Sequence, residues 1–186
     1  MKAKALALAA AALIAFGLKQ HYAGARADDL AWILGPTATL VGAMTDATFR
    51  WQPQEGYFSR ERLFLIEKSC AGINFMLAAF GMLVIATLPR VGSGASAARV
   101  VGVSLLASYA AAVMVNAVRI AIAMGLGAHP AALSAFSAAD VHRVEGITVY
   151  FGGLVLLYEL VQRLDRSVGP VGRDLDAEAR SAEPAL

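Results

Sequence analysis

Cysteine and charge are both scarce in this chain. One cysteine, Cys70, leaves no means of building an internal disulfide, a Cys-x-x-Cys redox pair or a cysteine metal cage. The three histidines, His21, His129 and His142, stand too far apart for zinc-ligand spacing, so no metal and no cofactor is expected. Charged residues are only 16% of the 186, and the net charge of +2 comes from scattered basic side chains, which argues against nucleic acid as a partner. No repeat of solenoid or propeller period is present. Apolar residues are abundant instead. They make up 58% of the chain, and the mean hydropathy is +0.60. A soluble domain has roughly half apolar and roughly a quarter charged residues, so the composition points to a membrane protein.

The apolar residues fall in runs. Residues 5–18 follow Lys2 and Lys4, and Ala25-Arg26-Ala27 lies just beyond. A removable signal peptide has this pattern too, but an uncleaved first span is preferred in a chain with further spans. Leu30–Met44 is short for a bilayer that needs ~20 residues, and Pro36 interrupts it, so an interfacial or re-entrant helix competes with a full crossing. In the polar stretch 45–69, Phe49-Arg-Trp and Tyr57-Phe flank the turn Gln52-Pro-Gln-Glu-Gly56 and predict a short β-hairpin-like loop before Cys70. Trp32, Trp51 and Tyr57 suit a headgroup layer. Ala71–Leu88, Val100 to about 116 and Gly146 to about 161 read as spans, and the second either runs on past Arg119 to Ala128 or bends there before His129-Pro130. The expected fold is an all-α bundle of about four to six transmembrane helices. It forms one membrane-embedded domain, residues 1–163, followed by a disordered cytoplasmic tail, 164–186.

Charge orients the pieces. Arg90 and Arg99 in a short acid-free link, Arg163, Arg166 and Arg173 after the last span, and Lys2 and Lys4 all favour the cytoplasm. Cys70, Asn116, Arg119 and His142 then share the opposite, outer layer, in a scheme of four full crossings.

Each of these groups has a plain reading and a chemical one. Cys70 packs as a small hydrophobe or, as a thiolate helped by a neighbouring cation, attacks a carbonyl; Ala71 and Gly72 beside it leave room for a substrate backbone. Arg119 snorkels from a helix end or marks a site, since a guanidinium at a helix centre costs roughly 2.5–3.5 kcal/mol to insert. Asn116 precedes it by three residues, on the same helix face. His142 is a solvated loop histidine or a proton shuttle, oriented by Asp140 or Glu145.

Three short stretches, in order and each at a span end, resemble the exosortase/archaeosortase family of membrane transpeptidases. They are Ser69-Cys-Ala-Gly-Ile-Asn74, Asn116-Ala-Val-Arg-Ile120, and His142 with Gly146 four residues on. Glu67-Lys-Ser-Cys-Ala-Gly-Ile-Asn-Phe75 and the short length look most like the small exosortase K subgroup, and the resemblance covers roughly residues 30–160. It implies a catalytic set of Cys70 as nucleophile, Arg119 as oxyanion or thiolate stabiliser and His142 as general acid/base. Gly72, Asn74, Asn116 and Gly146 support that set. It implies partners too: secreted proteins with a C-terminal motif, hydrophobic helix and basic tail, cut and passed to an envelope acceptor, at a bacterial inner membrane with the site on the outer face. Ala71 stands where many relatives carry serine. The competing expectation is a non-catalytic membrane scaffold that binds an acidic partner or lipid through Arg119 and His142.

Overall fold

Among the described residues, five α-helices and a small sheet make up the fold. The computed structural model describes the backbone of residues 1–127 and 138–181 and the side chains of residues 1–126 and 143–164. The helices are α1 (Lys2–Gly24), α2 (Ala31–Thr45), α3 (Ile73–Thr87), α4 (Gly94–Gly127) and α5 (Ala138–Ser181). Between α2 and α3 lie β1 (Arg50–Gln52), β2 (Gly56–Ser59) and β3 (Phe64–Ile66). Among the described residues, four segments are long and apolar enough to cross a bilayer: Lys2–Gly24, Lys68–Arg90, Gly94–Leu126 and Arg143–Leu164. They give the lower number of the expected range. With 15 residues α2 is not among them.

α4 is the axis of the bundle and touches each of the other four helices. Its 34 residues span roughly 51 Å, against a hydrocarbon core of roughly 30 Å. The helix runs on past Arg119 to Gly127. Arg119 therefore lies roughly seven turns beyond Gly94, at the end of α4 where α3 begins.

Pro36 was expected to interrupt the second apolar segment, yet α2 continues through it. Proline has no N–H to give to the carbonyl four residues back, which here belongs to Trp32. The Tyr109 hydroxyl donates to the Trp32 carbonyl oxygen at 2.8 Å, and the two rings stack with centroids 5.7 Å apart. A side chain from α4 thus supplies the hydrogen bond that the proline removes, as an apolar setting requires.

The expected hairpin is larger than predicted. β1 pairs antiparallel with β2 (Trp51↔Tyr57), and β2 pairs antiparallel with β3 (Tyr57↔Ile66), giving a three-stranded sheet. Phe64-Leu-Ile shows no sequence signal of a third strand, because the turn before it contains no Gly, Pro or Asn. That turn closes through Leu63 at φ 49° instead. The sheet and α2 cover the α3–α4 pair at the Cys70 end. Leu30, Ile33, Leu34, Val41, Ile66, Phe75, Met76 and Ile120 share one buried core there. A second core lies toward Pro89 and joins Ala7, Ala11, Phe80, Val84, Ala97 and Val101 from α1, α3 and α4.

α5 takes in residues 164–181, where charge, Gly and Pro predict a disordered tail. The helix-forming run Asp174–Arg180 favours the helical backbone there. His129-Pro130, expected to end α4, lies outside the described residues.

Candidate functional site

The stretch before α3 makes a corner. A 3-10 turn over Lys68–Cys70 ends at Ala71, and Gly72 then takes φ 67°, ψ 15°, a left-handed conformation that starts α3. A Cβ on Gly72 would also come within 3.2 Å of the Asn116 Cβ, so glycine permits both the turn and the approach of α4. The corner is tied to α1 from the other side: Lys19 Nζ donates to Asn74 Oδ1 at 2.7 Å, and Lys68 Nζ to the Ala23 carbonyl at 3.2 Å.

Asn116 is fully buried and bonded on both ends of its amide. Its Nδ2 donates to the Cys70 carbonyl, and its Oδ1 accepts from the Tyr150 hydroxyl at 2.8 Å. Arg119, one turn further on α4, donates from Nη1 to the Tyr150 oxygen at 3.4 Å. Its guanidinium carbon lies 5.3 Å from the Tyr150 ring centroid, and its Nε is 3.7 Å from Glu145 Oε2. The Arg119 and Glu145 side chains are 12% and 6% exposed, so this is a pair held inside the fold rather than a solvated one. Phe75 of α3 backs the Tyr150 ring at 5.4 Å. Gly146 gives Arg119 its space, since a Cβ there would lie 3.3 Å from the Arg119 Nε.

A cavity of about 440 Å³ opens among these groups. Its walls include Tyr22 of α1; Ser69, Gly72, Asn74 and Phe75 of the corner and α3; Arg119 of α4; and Arg143, Gly146 and Tyr150 of α5. Cys70 is half-buried and sits between the wall residues Ser69 and Gly72. The Ser69 hydroxyl donates its single proton to Glu67 Oε1 at 2.8 Å, so at 3.8 Å from the Cys70 sulfur its oxygen is placed to accept from the thiol.

Six of the seven sequence-predicted residues therefore gather in one place: Cys70, Gly72, Asn74, Asn116, Arg119 and Gly146. The seventh, His142, lies outside the described side chains; its backbone is on α5, one turn before Gly146. Asp140, named as a partner for it, is outside them as well. Glu145, the other residue named to orient His142, lies beside Arg119, and its relation to His142 falls outside the described side chains. Tyr150 and Phe75 escaped the sequence reading. The available signal was the spacing Gly146 to Tyr150 on α5, which puts the one hydroxyl of that stretch's inner face a turn below the glycine. Among the described residues, no group of three or more His, Cys, Asp and Glu side chains could hold a metal ion.

No protein-family model, curated protein or solved structure matches the chain.

Proposed function

We propose that the protein is an exosortase-like membrane cysteine peptidase or transpeptidase, with Cys70, Arg119 and His142 as its reacting set. One observation carries the reading. Three stretches far apart in sequence, around Cys70, Asn116–Arg119 and Gly146, meet at a single cavity next to the only thiol in the chain. The membrane character rests on the four apolar helices. The inner-membrane location with an outward-facing site rests on the arginine-rich link and on the resemblance.

In this reading the Cys70 thiolate attacks the scissile carbonyl of a secreted protein whose C-terminal helix lies against the spans. Arg119 stabilises the negative charge on the tetrahedral oxygen. The C–N bond breaks as His142 gives a proton to the leaving amine, and a thioester remains. An envelope acceptor, or water, gives its proton to His142 and displaces the thiol. A scaffold that binds an acidic partner through Arg119 is less favoured, because Glu145 already faces that guanidinium inside the fold.

The test is co-expression with a secreted substrate that carries a motif–helix–basic tail, tagged upstream of it. Wild type should shorten the substrate and Cys70→Ala should not. A product heavier than hydrolysis gives would mark transfer, and a bare carboxylate would mark a peptidase. Full processing by Cys70→Ala at normal membrane level would end the proposal.

A further inference from the structure

The polar atoms that link α5, α4 and the Cys70 corner form a chain whose direction can be worked out. The Cys70 carbonyl can only accept, so the Asn116 atom facing it must be the amide nitrogen. The amide oxygen then faces Tyr150, whose hydroxyl must donate its one proton there. With that proton committed, the Tyr150 oxygen can only accept, and Arg119 supplies the donor. The order is fixed: guanidinium N–H to phenol oxygen, phenol O–H to amide oxygen, amide N–H to the carbonyl of Cys70. A cation at one end polarises each later donor in such a chain.

We infer that Tyr150 is a positioning residue: its hydroxyl holds the Asn116 amide in the orientation that ties down the Cys70 carbonyl and so fixes the thiol beside the cavity. The inference deepens the proposed function and rests on it for the meaning of the thiol, but not for the geometry. Asn116 is 0% exposed, so without the phenol hydroxyl its amide oxygen would lose the donor it has inside the fold. The amide would turn, the Cys70 carbonyl would lose its donor, and the 3-10 corner would loosen. Packing alone does not require the hydroxyl, since a phenylalanine would keep the contacts with Phe75 and with the Arg119 guanidinium.

Because Cys70 is the only cysteine, its alkylation by iodoacetamide reads this corner directly in the full-length protein in detergent, with no substrate needed. Tyr150→Phe and Asn116→Ala should each raise the alkylation rate by about tenfold, the factor that one lost hydrogen bond carries. The double variant should be no faster than Asn116→Ala alone, because both act on one link. In the processing assay the same variants should turn over more slowly while their thermal midpoint in detergent stays near that of wild type; a collapsed midpoint would overturn the inference, because general unfolding also exposes the half-buried thiol. A wild-type alkylation rate in Tyr150→Phe would overturn the inference, as would a double variant whose effect is the product of the two singles. If instead Cys70→Ala still processes substrate while the alkylation cycle behaves as described, the peptidase reading fails and the positioning role of Tyr150 stands.

Discussion

The two ends of the bundle are built differently. Toward Pro89, α1, α3 and α4 meet through Ala7, Ala11, Phe80, Val84, Ala97 and Val101, a core of small and apolar groups that lets the helices approach closely. Toward Cys70, the same α3 and α4 are joined to α5 by a directed chain through Arg119, Tyr150 and Asn116, with Glu145 beside it. Small-residue packing tolerates a range of sliding positions and holds no charge. Hydrogen bonds that must run in one order hold a single geometry, and buried polar groups are costly if that geometry is lost. The polar end is therefore the less economical way to join helices and the better way to fix a reactive group. That contrast is the strongest physical reason for placing function there.

Changes at the two ends should therefore separate chemistry from stability. The largest effect is expected for Arg119→Lys, which keeps a positive charge near Glu145 but loses the planar fork. Processing should fall on the order of 100-fold, as when one oxyanion donor is removed, with membrane level unchanged. Unchanged processing would mean that the guanidinium serves only to hold helices together.

At the other end, Phe80→Ala should lower stability by about 3 kcal/mol, read as a drop in the thermal midpoint in detergent, because it empties the centre of the second core. The folded fraction should still alkylate Cys70 at the wild-type rate. An altered rate would show that the two ends are coupled through α3.

Gly72→Val should have a smaller effect than either. A β-branched residue at φ 67° costs about 1–2 kcal/mol in backbone strain, and its side chain meets Asn116, so the midpoint should drop modestly while Cys70 alkylation changes clearly. The smallest change is expected for Lys19→Met. Its bond to Asn74 is solvent-exposed, and loss of such a contact should lower stability by less than about 1 kcal/mol, read as a small drop in the midpoint.

Most of the helices can be read from residue order alone, because their apolar runs approach the length of a bilayer crossing and are bounded by Gly, Pro or polar residues. α2 shows where this stops: Pro36 looks like a break only until Tyr109, 73 residues later, is seen to supply the missing donor. β3 was illegible for a related reason. Three residues without turn chemistry before them become a strand only because β2 is present to pair with.

The site divides in the same way. Cys70, Asn116 and Arg119 stand out in the sequence because a thiol, an amide and a guanidinium next to apolar runs are exceptions to their surroundings, and that exception is local. Tyr150 does not stand out, since a tyrosine in an apolar helix is ordinary; its role exists only through the amide it faces. Residue order marked out the apolar helices, their polar ends and the thiol, amide and guanidinium next to them. The tertiary structure decided which carbonyl Asn116 ties, which acid faces Arg119 and which hydroxyl orders the chain. A hydrogen bond depends on where two atoms of distant segments come to rest, and packing alone sets that.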